Sequence, residues 1–161
     1  MGFIDTAPGT NLPVFYNVVH AVGKQCPNMR DDVKLVQYLL MAYYDKLPPS
    51  ERPKGEIAVT GYCGSATMNW ILKFQLDFSK HFPGKVTVDN RVDRIRDKTA
   101  FKRSIRKIFY TLAILNINVA ANNPEAFLAL PSLIPLQNPA NVPPPSWDVI
   151  HEMQIPATGG A

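Results

Sequence analysis

Apolar residues recur at helical spacing in three stretches of the chain. Val33, Val36, Leu40 and Tyr43 follow one another at steps of three and four, which places them on one face of a first helix. Asn28 precedes it as a candidate N-cap. Asp31 and Asp32 fall in its first turn, where the helix dipole favours negative charge, and Pro48, Pro49 and Pro53 end it. Thr67, Ile71, Phe74 and Phe78 share a face of a second helix, which Pro83-Gly84 breaks. Phe101, Ile105, Ile108, Leu112, Leu115 and Val119 alternate steps of four and three and predict a third, longer helix.

Between these helices the pattern shortens. Residues 14–22, VFYNVVHAV, are β-branched and aromatic and predict an N-terminal strand. Ile57 and Val59 predict a brief extended piece that runs into Gly61 and Gly64. Gly61 can take a positive φ without steric cost. Gly64 lets the chain turn into the second helix, with Ser65 as a competing N-cap. Residues 85–88 are expected to be extended, and Asp89-Asn90 to turn.

The two ends read differently. Residues 1–13 carry Pro8, Gly9 and Pro13 and predict an extended arm. From Pro124 onward lie eight of the fifteen prolines, and the stretches LALPSLIPL and VPPPSW are expected not to continue a helix. Leu128, Leu130, Leu133, Ile134, Leu136 and Trp147 make this segment too apolar for a solvated linker. The chain therefore divides into an N-terminal arm and strand (1–21), a helical domain (22–123) and a proline-rich apolar C-terminal arm (124–161).

Composition narrows the functional classes. A chain of 161 residues fits one domain with arms. No apolar run is long enough to span a membrane, and the first residues lack the basic start and apolar stretch of a signal peptide. Synthesis in the cytoplasm is expected, with any export as part of a released particle. The pattern Met1-Gly2 with Thr6 also fits N-myristoylation, a permissive pattern read here as chance. Net charge is +4. It is concentrated in a basic patch that includes Arg94, Lys98, Lys102, Arg103, Arg106 and Lys107, and no Lys or Arg follows. Cys26, Cys63 and the histidines show no zinc spacing, so no metal and no cofactor is expected. The two cysteines either pair, if the fold brings them together, or remain buried free thiols, as a reducing compartment favours.

The succession of helix, glycine turn, second helix, second extended turn and third helix resembles the peptidoglycan-binding-like domain of bacterial wall enzymes and phage proteins. Asp32, Val33, Gln37 and Leu40 match that family's Asp-Val-x-x-x-Gln-x-x-Leu pattern. Residues 59–67, VTGYCGSAT, match its Val-Asp-Gly-x-Phe-Gly-x-x-Thr turn, with Thr60 in place of Asp and Cys63 in place of Phe. Phe74-Gln75 matches the Phe-Gln that closes its second helix, and residues 88–92, VDNRV, echo its second turn. The likeness runs from about Val22 to Leu115. It implies a mainly α, compact three-helix domain with short extended turns, framed by Asp32, Gln37, Gly61, Gly64, Thr67, Phe74 and Gln75. Phe74 is expected in the core, with Gln37 and Gln75 satisfying loop amides and carbonyls where helix ends meet.

Three functions follow as expectations. The first is a non-catalytic module that binds peptidoglycan through Tyr62, Asn69 and Trp70, with Trp70 alternatively part of the core. The second is a structural adaptor in an oligomer or larger assembly, such as a phage-tail-like or contractile injection particle, whose arms dock on neighbours, the C-terminal one lying across a neighbouring subunit or back along its own domain. The third is nucleic-acid binding through the basic patch, against the simpler reading of a solvated face. No nucleophile–base pair is recognisable, so an enzyme is not expected.

Overall fold

The computed structural model describes residues 1–97 and 108–153. Helices dominate the described residues, accompanied by two small sheets. Strand β1 (Gly2–Thr6) pairs antiparallel with β2 (Val14–Asn17), with Phe3 opposite Asn17 and Thr6 opposite Val14. β3 (Val22–Gly23) precedes helix α1 (Arg30–Asp45). Helix α2 (Ser65–His81) follows the glycine corner, and β4 (Arg91–Val92) pairs antiparallel with β3. Then come α3 (Thr111–Asn122), α4 (Pro124–Leu133), β5 (Leu136–Gln137) and α5 (Trp147–Glu152). β5 runs parallel to β1, giving a three-stranded sheet in the order β2-β1-β5.

The core explains this order. Val33, Val36, Leu40 and Tyr43 of α1 are buried, as are Ile71, Phe74 and Phe78 of α2. The Tyr43 ring meets Phe74 edge-on at 5.0 Å, and Phe74 lies 4.6 Å from Phe78. Helix α3 is apolar nearly all round, and Leu112, Leu115, Val119 and Ala120 are fully inaccessible or nearly so. A helix of that kind belongs at the centre of a packed unit.

The N-terminal segment is not an arm. Residues 2–6 form a strand whose Phe3 and Ile4 are buried, and the chain reverses through Pro8-Gly9 into β2. The strand expected over 14–22 stops at Asn17 for a local reason. The Asn17 side chain turns back to accept from its neighbour Val18 N–H, and it pairs with both the N–H and the carbonyl of Ile95. The Asp32 carboxylate then takes the amides of Val19 and His20. Asn28 does not cap α1; Met29 occupies that position. Asn28 instead holds a positive φ, and its amide bonds both the N–H and the carbonyl of Gly23.

Between Pro124 and Gln137 the C-terminal segment is not a free arm either, and residues 154–161 lie outside the described residues. Asn123 caps α4, accepting from Ala126 N–H, and Pro124 fills the first helical position, where a missing N–H costs nothing. Pro131 sits inside this helix and cannot donate to the carbonyl of Phe127, four residues back. The Tyr16 hydroxyl supplies that bond instead, at 2.6 Å. Tyr38 donates to the Ala126 carbonyl, and Asn123 donates to the Ala42 carbonyl. Phe127, Leu130 and Ile134 are buried and complete the protein's own core, whereas Leu133 is 63% exposed and Trp147 47% exposed.

The third helix starts later than its apolar spacing predicts. Its stretch from Phe101 to Lys107 lies outside the described residues. Ile108 is outside the helix and 63% exposed. Phe109 donates to the Lys85 carbonyl and bridges to Val86 in parallel register, which holds the chain extended until Thr111.

Candidate functional site

The corner between α1 and α2 is built on one buried side chain. Gln37 is inaccessible to solvent. Its Oε1 accepts from the amides of Thr60 and Gly61, both at 3.0 Å. Its Nε2 reaches the Tyr62 carbonyl and the Thr67 hydroxyl at 3.0 Å, and Thr60 Oγ1 at 3.3 Å. The glutamine thereby binds the turn to both helices. Gly61 takes a φ of +81°, and a side chain there would run into Arg30, with Cβ only 2.5 Å from Arg30 Cγ. Gly64 is the N-cap of α2, and a Cβ on it would meet the Tyr62 ring at 2.8 Å. Gly61 is therefore required by its backbone conformation, whereas a Cβ at Gly64 would displace the exposed Tyr62 ring.

A second corner repeats the device. Gln75, also fully buried, accepts from Asn90 N–H at 2.9 Å. It donates to the Arg91 carbonyl, the Asp89 carboxylate and the Thr111 hydroxyl at 2.9–3.1 Å. Asn90 takes a φ of +59°, in the place that Gly61 holds at the first corner. Each glutamine thus holds a left-handed turn and a threonine at or near the start of the following helix.

The residues expected to meet a ligand separate. Tyr62 is 76% exposed, its ring lying against Gly64, and Asn69 is exposed on α2. Trp70 is buried, edge-on to Tyr44 at 5.5 Å, with its indole N–H unpartnered. The alternative of Trp70 as a core residue is the one the packing supports. Met29 and Arg30 are exposed beside the corner, where the Arg30 stem faces Gly61. Residue pattern alone missed Arg30, because its position depends on Gly61 approaching α1. Asp32 belongs to the frame: its buried carboxylate holds the loop before β3, with His20 Nδ1 3.9 Å away. Thr67 and Phe74 are likewise buried parts of the frame.

The basic patch is only partly visible. Arg94 is partly buried, its guanidinium 5.0 Å from the Phe3 ring centre, which is a packing role. Lys98, Lys102, Arg103, Arg106 and Lys107 lie outside the described residues. The cysteines are free thiols, partly exposed rather than buried. Among the described residues no group of three or more His, Cys, Asp or Glu side chains could hold a metal, and no helix is long and apolar enough to cross a membrane. No family model, curated protein or solved structure matches the chain.

Proposed function

We propose that the protein is a non-catalytic binding module that resembles the peptidoglycan-binding-like domain and takes cell-wall glycan at the corner between α1 and α2. The observation that carries this reading is the rigid presentation of Tyr62. Its carbonyl is fixed by Gln37, its ring rests on Gly64, and the ring is still 76% exposed. An aromatic ring held in this way loses little freedom when a sugar ring stacks on it. The Asn69 amide supplies a donor and an acceptor for hydroxyl and acetamido groups. Arg30 supplies a guanidinium suited to the carboxylates of a wall peptide. The two glutamine-held corners, each tying a helix to a left-handed turn and a threonine, support the same family reading.

Retention on purified insoluble peptidoglycan tests it. The wild-type chain should be retained at low salt, and Tyr62→Ala combined with Asn69→Ala should be lost to the supernatant with unchanged melting. No retention of the wild type at low salt refutes the reading.

A second reading, a structural adaptor within a larger assembly, is favoured by a different face. Met68 and Leu72 are partly exposed and Leu76 is 43% exposed, at steps of four along α2. Such a stripe suits a neighbouring subunit. Light scattering of the wild type against Leu72→Glu/Leu76→Glu tests it; a monomer in both cases refutes this second reading.

A further inference from the structure

The Trp70 indole N–H has no use in the hydrogen-bonded frame described above. The ring is buried edge-on to Tyr44, and its N–H is shut off from water without a hydrogen-bond partner. A donor left in that state costs free energy that an acceptor would recover. Trp70 also lines a cleft of about 210 Å³ between α1, α2 and the loop that joins them. Met41, Tyr44 and Ile57 give the cleft an apolar side, and Asp45, Arg52 and Glu56 give it a polar one. Arg52 is turned toward the end of α1, where it donates to the carbonyls of Leu47 and Asp45. Asp45 and Glu56 are exposed. The cleft therefore offers a ligand one buried donor, two carboxylate acceptors and an apolar wall. An anion would meet the two carboxylates, and a cation would leave the indole N–H without an acceptor. A secondary amide suits both, because its carbonyl accepts and its N–H donates. Residues 54–56 of the loop are exposed, and a Cβ on Gly55 would have nothing within 4 Å, so the loop tip has room to yield as a ligand reaches the N–H.

We propose that this cleft is an acetamido subsite that takes the N-acetyl group of an amino sugar. The acetyl carbonyl accepts from the Trp70 indole, the amide N–H donates to the carboxylates of Asp45 and Glu56, and the methyl lies against Met41 and Ile57. The inference rests on the glycan reading above for the sugar that carries the amide, and it adds a second contact to that reading. The two places adjoin along both helices. Met41 follows Gln37 by four residues, about 6 Å along α1, and Trp70 follows Asn69 directly on α2. A glycan stacked on Tyr62 thus has a neighbouring cleft for an acetamido group.

The test uses the full chain, isotopically labelled at nitrogen, and follows its indole N–H signals by NMR. The probes are N-acetylglucosamine and, in parallel, glucose, which lacks the amide. Each is added to about 50 mM, because a single sugar is expected to bind in the millimolar range. Trp147→Phe assigns the two indole signals. The Trp70 signal should move downfield with N-acetylglucosamine and stay in place with glucose. Asp45→Ala combined with Glu56→Ala, both exposed positions, should weaken the titration by about three- to tenfold. Trp70→Phe, followed by saturation transfer to the acetyl methyl, should weaken it by about tenfold; if that variant does not fold, the double variant decides. A Trp70 signal that stays still, one that moves equally with glucose, or an affinity unchanged in the double variant or in a folded Trp70→Phe chain would each overturn the proposal. Peptidoglycan retention that depends on Tyr62 while the Trp70 signal stays still removes the subsite and leaves the glycan reading. A Trp70 signal that moves while the wild type is not retained keeps the subsite and removes that reading.

Discussion

Replacing Gln37 by leucine removes the side chain that joins α1 to the corner while keeping a similar volume. Nε2 has two hydrogens for its three acceptors, and Oε1 receives two amides. About four full hydrogen bonds are therefore lost, each contributing about 1 kcal/mol net. The Thr67 hydroxyl is buried and must find another partner, whereas Thr60 and Tyr62 lie near solvent and recover part of the loss through water. The expected cost is about 2–4 kcal/mol, which for a domain of this size lowers the melting temperature by roughly 5–15 °C. Thermal melts give the global effect. Hydrogen exchange gives its location: the Gly61 amide should lose protection, whereas Thr60 N–H keeps its bond to the Ala58 carbonyl and Asn90, held by Gln75, keeps its own. A leucine variant that melts within about 2 °C of wild type, with the Gly61 amide still protected, would refute the claim that Gln37 holds the corner.

Phe127→Ala should cost about 3–5 kcal/mol, because this ring is fully buried 4.7 Å from Tyr16. A chain ending at Asn123 should lose cooperative melting by circular dichroism, and an unchanged transition would show that α4 is dispensable. Gly61→Ala should destabilise by more than the about 1–2 kcal/mol of left-handed backbone strain alone, since Arg30 crowds its Cβ. Gly9→Ala, at a φ of +73° with no atom within 4 Å, should show only the backbone part, and equal urea midpoints for the two variants would contradict this. Burial first, joined by Tyr38 at Tyr16, by Asp77 and Glu51 at Tyr43 and by Asp77 at Tyr44, holds these three hydroxyls protonated well above the usual tyrosine range. Their contribution is complete below the unfolded value near 10 and falls as pH rises above it, by roughly 1.4 kcal/mol per pH unit for each ring. Urea midpoints taken upward from about pH 9 should therefore drop, and midpoints that stay level to about pH 11 would disprove the coupling.

Periodicity in the sequence determined the faces of α1 and α2, the positive φ at Gly61 and the burial of Phe74, because these depend on residues within a turn or two of one another. The glutamines were legible as groups that satisfy loop ends, but their particular partners were not. Several outcomes turned on side-chain amides that stand in for strand neighbours across long stretches of chain. Asn17 pairs with the backbone of Ile95, and Asn116 pairs with the N–H and carbonyl of Tyr16 at the edge of the sheet. No local pattern encodes such a choice. Proline's effect is non-local for the same reason: Pro131 breaks a helix only when the carbonyl it abandons stays unpaired, and a hydroxyl from β2 pairs it. Hydrogen-bond satisfaction is a property of the assembled molecule, so tertiary structure alone decided that β1 and α4 pack inward and that Trp70 is buried while Tyr62 faces solvent.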